Sequence, residues 1–442
     1  NIQNKEAHIM RKLNKLFAVA ATTALVLTGC VGGKKEEKQA DPNKKVEITY
    51  WDFPQFTKDK EFKKTEDFDA ALIKAFEAKN PNIKVNYQKI EFTDGPAKIE
   101  TAIQSKTAPD VIYDAPGRVI AWAAKDLLVP LDDVDKSKLN EAAVKASSYK
   151  DKLYMYPQGV APFLMGVNKD LTDKLGVTDL LPLNKQDRSW NVEEYEKFLK
   201  AVKQKDSSIT PALFYTKSQA GDQGPRAFVA NLYNSWITDD ANSKYTINDA
   251  NGVKGLEWVK KAYDDGLLGQ GVALEAKDAL EAFKSGRAAT TILFSPGIAA
   301  SHASGFNYKF LPFPNNGGKA KYDYLVAGPA IFDNGDADKA AAAKKFVDFM
   351  VNDKDWGKRT LLASGNFSAK KGETGLYDSE ELKFAEGLTG QYAPYYNTIP
   401  GFAKMRPLWF NMVQGVLNGK TTPKEGLDKF VEDANKTIKE AL

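Results

Sequence analysis

Chemistry that depends on imidazole or thiolate has little to draw on here, because 442 residues hold one cysteine, Cys30, and two histidines, His8 and His302. That supply excludes a disulfide framework and a Cys/His zinc site, and it removes most histidine-based catalysis. His302 has no partner that the sequence identifies and reads as structural or incidental. There is no GxxxxGK[ST] loop, no HExxH helix and no GxSxG elbow. Asp132 with Asp133, and Asp239 with Asp240, are sequence neighbours, which does not establish the carboxylate separation that glycoside hydrolysis requires; both read as solvated turns. Asp249-Ala250-Asn251-Gly252 has part of a calcium-loop pattern but lacks the ligand ladder before the glycine and the glutamate after it, so it also reads as a turn. No catalytic residue, no metal and no cofactor is expected.

The thiol has a placement of its own. MRKLNK (10–15) is basic, and the twelve residues 16–27 are an uncharged run of Ala, Val, Leu, Phe and Thr, in the order of a secretory signal. At about 1.5 Å per residue such a run falls short of a bilayer core of about 30 Å. It ends in LTGC (27–30), which resembles the bacterial lipobox, where the sulfur is lipidated and the preceding segment removed. Residues 1–29 are then upstream residues and a lipoprotein signal peptide, with 1–9 read as upstream or misassigned sequence. Residues 30–45 are the lipidated Cys30 and a flexible tether, since VGGKKEEKQADPNKK (31–45) has almost nothing to bury. Cleavage before Cys30 removes Lys5, Arg11, Lys12, Lys15 and Glu6, lowering the net charge of +4 by three. No nucleic-acid partner is expected, because that requires a clustered basic patch. No later run approaches 18 apolar residues, so the body is expected outside the membrane, and the signal and lipobox place it on the extracytoplasmic face.

The elements follow from periodicity. VEITYW (46–51) alternates as a half-buried strand, Phe68, Leu72, Ile73 and Phe76 take helical spacing before Pro81, and Ile83, Val85 and Tyr87 alternate again. PDVIYD (109–114) is a short strand followed by a helix over 119–124. This order implies a mainly parallel sheet with helices on both faces, whose ligands sit beyond the carboxyl ends of the strands. Further helices are expected near 192–202, 256–263, 278–284, with Gly286 as a left-handed cap, and 337–350; a strand is expected over 290–294. The last helix opens at Thr422 and Pro423 with Glu425 completing a capping box, and carries an apolar stripe from Leu427 to Ile438.

Several phrases occur in a telling order: the lipobox, YWD (50–52), FEAKNPNIKV (76–85), APDVIY (108–113), LLVPLDD (127–133), YMYP (154–157), NKDL (168–171), EAFKSGRAA (281–289) and LNGKTTP (417–423). The series resembles the family 1 extracellular solute-binding proteins, the sugar-binding lipoproteins of ABC importers that include maltose-binding protein. The resemblance implies an α/β, periplasmic-binding-protein-like fold: two α/β lobes joined by a multi-crossing hinge, with the ligand cleft between them. Crossings are expected near 158–161, 324–327 and 364–368. The N-terminal lobe is then 46–158 plus 328–363, and the C-terminal lobe 162–323 plus 368–442. The implied function is capture of a carbohydrate, an oligosaccharide, by a monomer that is lipid-anchored to the cell membrane and delivers its load to the transmembrane subunits of an ABC permease. The alternatives are another solute, such as glycerol phosphate or a peptide, and a secreted glycan hydrolase.

A sugar site needs flat apolar surfaces for the CH faces of pyranose rings and fixed polar groups for the hydroxyls, which Trp, Tyr, Asp and Arg supply. Trp51 and Asp52 lie at the carboxyl end of the first strand. Asp114 and Arg118 follow another, and Arg118 matches an arginine that maltose-binding protein carries after the same strand. Phe294 and Ser295 end the strand after the SGRAA segment, where relatives often carry a tryptophan. NTIPGF (397–402) and MRPLW (405–409) resemble the family's late cleft segment, which adds Phe402, Arg406 and Trp409. Trp236, after a polar stretch, completes the expected ligand-binding set; Trp122, Trp258 and Trp356 lie in helical patterns and are assigned to the core.

Overall fold

In the first strand, Val46–Asp52 (β1), Ile48, Tyr50 and Asp52 are buried while Glu47 is exposed and Trp51 half-buried, the two-residue period of a sheet with unequal faces. The structure is a computed structural model that describes residues 39–217, 221–269, 274–302 and 305–442. Cys30, His8 and the 16–27 run lie outside the described residues, as does the side chain of His302. Helix Thr65–Lys79 leads from β1 to Ile83–Lys89 (β2) and buries Phe68, Leu72, Ile73 and Phe76 as one stripe. β2 pairs parallel with β1, and Val111–Asp114 (β3) pairs parallel on the other side of β1.

The chain continues through a small hairpin, Ser148–Tyr149 (β4) and Lys152–Leu153 (β5), to Gly159–Pro162 (β6), Leu164–Asn168 (β7), Thr210–Ala212 (β8), Ala288–Phe294 (β9), Tyr308–Leu311 (β10), Tyr324–Ile331 (β11) and Phe367–Ser368 (β12). Two larger sheets result: six strands in the order β12-β6-β11-β3-β1-β2, and four in the order β10-β7-β9-β8. The expected mainly parallel sheet is only partly realised. β11 runs antiparallel to both β3 and β6, and β12 antiparallel to β6. These strands enter or leave toward the second sheet instead of returning over a helix, and only a crossover back to the same end yields parallel pairing.

The three stretches read as crossings fall in these adjacent strands: Val160 pairs with Val326 on one side and Phe367 on the other. A single residue, Phe163, separates β6 in the large sheet from β7 in the small one.

Local signals explain the helices. Asn191 and Glu194 form a reciprocal capping box at Val192–Lys205, and Gly286 adopts φ 76° after Ala276–Lys284, as the left-handed cap requires. Asp249 accepts the Gly252 N–H at 2.8 Å and the Ser235 hydroxyl at 2.6 Å, so the partial calcium-loop pattern is a helix N-cap. The cap at Thr422 is one-sided: its hydroxyl oxygen accepts the Glu425 N–H at 3.1 Å, while the Glu425 side chain is exposed.

In the last helix, Pro423–Ala441, Leu427, Phe430, Val431 and Ala434 are buried. Phe430 meets Trp409 edge to face at 5.3 Å, and Trp409 is 1% exposed. The expectation that Trp409 stacks a ligand is therefore corrected: both faces are taken up by the core.

Asp52, also expected in the cleft, is buried in the large sheet's own core. It accepts the hydroxyls of Tyr87 at 2.6 Å and Tyr50 at 3.2 Å. Asp69 of the overlying helix is fully buried, and neither of its oxygens meets a hydrogen-bond donor. Loss of water pushes Asp52 up to about 6, and burial followed by the Asp52 charge pushes Asp69 well above the usual carboxylate range. Two buried carboxyls disfavour each other's ionised form.

Both groups ionise at lower pH in the unfolded chain. The stability they contribute is thus fully present below about pH 4 and is lost as pH rises through the folded values, a change of roughly 3 kcal/mol for Asp52 alone. Asp69→Asn is expected to stabilise the fold at pH 7.5 by about 1–3 kcal/mol in chemical denaturation and to flatten the decline between pH 4 and 7. A variant with the parent's pH profile contradicts a buried, coupled pair. Trp409→Ala is expected to cost about 3–5 kcal/mol of stability through the cavity it leaves; an unchanged denaturation midpoint contradicts its place in the core.

Candidate functional site

Phe163, between the two sheets, lines a cavity of about 240 Å³ together with Tyr324 and Leu325 of β11. The remaining walls come from the start of helix Gln223–Leu232, the 394–397 segment and helix Phe402–Leu417. Strands, turn and helix ends thus converge where the chain passes between sheets.

A charged cluster holds this region together. Arg226 is 1% exposed, and its Nη1 donates to Asp222 Oδ2 at 2.6 Å. Arg406 grips the same carboxylate with two bonds, Nε to Oδ2 at 2.9 Å and Nη2 to Oδ1 at 2.7 Å. Arg226 Nε donates to the Tyr396 hydroxyl at 3.0 Å, and that hydroxyl donates to Asp323 Oδ2 at 2.6 Å. Burial raises Asp323 to about 6 against the opposing effects of the Tyr396 hydrogen bond and the Arg226 charge. The guanidiniums also lie over aromatic faces, Arg226 at 5.4 Å from the Tyr396 centroid and Arg406 at 5.5 Å from Phe402. Planar cations paired to a carboxylate and seated on rings are held in one orientation.

Tyrosines continue the wall. Tyr324 stacks on Tyr392 at 4.2 Å and meets Tyr395 edge to face at 5.4 Å. A second cavity of about 280 Å³ shares Tyr324, Pro394 and Tyr395 with the first and adds Lys145, Asn242 and Thr398. Those last three also line a wider space of about 790 Å³ that reaches Ile120. The cavities are therefore segments of one groove.

Of the ten expected ligand residues, Phe402 and Arg406 line the first cavity. Asp114 at the end of β3 and Arg118 form a bidentate pair, at 2.8 and 2.6 Å; Arg118 lies on the helix Pro116–Ala123, which packs against the 396–398 turn. The other six are not among the residues lining these cavities. Asp52 and Trp409 are in the cores described above. Phe294 is fully buried among Phe283, Tyr308 and Phe310, its ring occupying the space that a side chain at Gly166 would need. Ser295 is buried, its hydroxyl oxygen accepting the Ile298 N–H at 3.1 Å. Trp51 is half-buried on the opposite face of β1 from Asp52. Trp236 is half-buried with the Lys321 ammonium 4.8 Å from its ring centroid.

Sequence reasoning missed Asp222, Arg226, Asp323, Tyr395 and Tyr396. An acid four residues before a base, Asp222 then Arg226, is a legible helical pair, and the Tyr395-Tyr396 doublet after Pro394 is an unusual loop composition. Nothing local brings them to Arg406. Among the described residues no group of three or more His, Cys, Asp or Glu could hold a metal, and no helix is long and apolar enough to cross a membrane.

Comparison with known proteins agrees with this architecture. The galactooligosaccharide-binding protein of Bacillus subtilis (strain 168) is 25% identical over 448 residues, covering 97% of this chain and 98% of that protein. The solved cyclic α-maltosyl-1,6-maltose binding protein from Arthrobacter globiformis superposes with a TM-score of 0.73 at 18% identity, over 89% of this chain and 99% of that one. A cyclo/maltodextrin-binding protein complexed with maltotetraose gives 0.70 at 19% identity, over 91% and 98%. These two share the fold of this chain, the two-lobed architecture of the sugar-binding proteins. The family model described as bacterial extracellular solute-binding protein matches residues 62–355. With well over half of its length matched, the chain belongs to the bacterial extracellular solute-binding protein family.

Proposed function

We propose that the protein captures a carbohydrate, an oligosaccharide, in the groove between its two sheets and passes it unaltered to an ABC permease. The observation that carries this reading is the buried Asp222 carboxylate shared by Arg226 and Arg406 and walled by Tyr395, Tyr396 and Phe402. Fixed charge-assisted donors beside flat rings are what ring hydroxyls and CH faces require. The names of the similar proteins, which bind galactooligosaccharide, a cyclic maltosyl-maltose and maltotetraose, support the same class. Asp114 and Arg118 complete the site from the large-sheet side.

The charges also argue against the rival solutes. The two guanidiniums face two carboxylates, Asp222 directly and Asp323 through the Tyr396 hydroxyl, a balance that favours an uncharged guest over glycerol phosphate.

Function here is closure without chemistry. The lobes are 46–158 with 328–363, and 162–323 with 368–442, hinged at the adjacent β6, β11 and β12. A guest that completes contacts with both makes the closed form dominant. Moving that equilibrium from 1:99 to 99:1 needs a preference of about 10⁴, roughly 5.5 kcal/mol. The protein acts as a monomer on the extracytoplasmic face of the cell membrane, held through lipid on Cys30 after removal of the signal peptide; the expected tether of 31–45 is shortened at its end, because Asp41, Pro42 and Lys44 are bonded to Asp338 and Asn82, and more than one acyl chain makes such anchoring firm.

A thermal-shift screen with galactobiose, galactotetraose, maltose and maltotetraose, with glycerol 3-phosphate and a tripeptide as controls, is expected to raise the melting temperature with a sugar alone. Stabilisation by a control instead, or chromatographic detection of sugar cleavage, overturns the proposal. Arg406→Gln is expected to weaken the stabilising sugar roughly 10–100-fold by calorimetry, the worth of a hydrogen bond to a charged group, with its circular dichroism spectrum retained and its melting temperature lowered by the loss of a partner from buried Asp222. Equal affinity removes Arg406 from the site.

A further inference from the structure

We infer that Phe92 is an outer stacking position of the groove, taking a terminal pyranose ring of an oligosaccharide beyond the part held at Asp222 and Arg406. The inference rests on the carbohydrate reading above. Phe92 is 57% exposed and, with Leu442, is one of two large apolar side chains left exposed among the described residues.

This ring is not a loose surface group. It lies parallel to Phe53, with centroids 5.0 Å apart and planes 11° from each other. Phe53 is fully buried, carries the Arg118 guanidinium 4.9 Å from its centroid, and leaves no room for a side chain at Gly95. One face of Phe92 is thereby held against a rigid partner, and its exposure leaves the other free. A flat apolar surface set in advance loses little rotamer freedom when a ring settles on it.

Its place in the fold connects it to the groove. β1, β2 and β3 end at Asp52, Lys89 and Asp114, and Phe53, Phe92 and Arg118 follow those ends on the carboxyl edge, where ligands of such sheets bind. Arg118 lies on the helix that packs against the 396–398 turn, and Ile120 of that helix lines the groove's widest part. The cavity at Asp222, about 240 Å³, is below the roughly 300–1,000 Å³ usual for small-molecule sites, so an oligomer seated there must continue outward. The nearby cation is already taken up: Lys89 pairs with both Glu66 at 3.4 Å and Glu91 at 3.2 Å, which leaves no positive charge there for an anion. Such a surface suits a neutral ring better than an anion.

The test is calorimetry of wild type, Phe92→Ala and Phe92→Trp with galactobiose and galactotetraose, and with maltose and maltotetraose. For the series that binds, Phe92→Ala is expected to weaken the four-unit sugar about tenfold, the order of one ring stack, and to leave the two-unit sugar within about twofold; Phe92→Trp retains four-unit affinity. A circular dichroism melt matching wild type excludes misfolding as the cause. Equal losses for short and long sugars, or no loss for either, overturn the outer position while leaving the carbohydrate reading intact. Wild type binding neither series, with no sugar shift in the thermal screen, removes both.

Discussion

Two sheets that share one chain need places where the chain changes sheet, and here those places are neighbours. β6 lies between β11 and β12, so Val160 is paired on both sides, with Val326 and with Phe367. One residue beyond β6 the chain is already entering the small sheet. This adjacency is the constraint on which the site depends. Backbone ladders hold the crossing strands in fixed register, and the side chains at their ends, Phe163, Tyr324 and Leu325, line the cavity. Paired on both sides, the backbone groups of β6 are satisfied without water.

On that frame the charged cluster acts as an organiser. Asp222, Arg226 and Tyr396 are buried, and each is costly without its partners. Asp222 satisfies two guanidiniums, and Tyr396 passes the interaction on to Asp323. The cations are thus spent on the protein's own carboxylates, and their N–H groups are oriented without leaving a net field for an anion. Neutral, hydroxyl-rich guests fit this balance. Arg118 with Asp114 repeats the same pairing on the large-sheet side.

The aromatic residues divide along different lines from those their positions in sequence suggest. Trp409 and Phe294 end up in cores, while Tyr324, Tyr395 and Tyr396 take the cavity wall and Phe92 stays outside. An aromatic on a helical stripe buries itself when another helix covers that stripe, as Phe430 covers Trp409. The partner is more than 20 residues away in sequence, so no local pattern announces it.

What the sequence determined by itself is everything carried by period and local capping: the alternation of β1, the helix ending before Pro81, the αL glycine at 286, the order of elements, and, through phrases distributed along the chain, the family. Those signals act over a few residues, where side-chain spacing and backbone preference decide the outcome. Tertiary structure alone decided that β11 and β12 run antiparallel to β6, that Asp52 is sealed beside Asp69, and that Asp222 meets Arg406. Each is a contact between segments distant in the chain. Burial and pairing energies there depend on what packs opposite, which one residue and its neighbours do not specify.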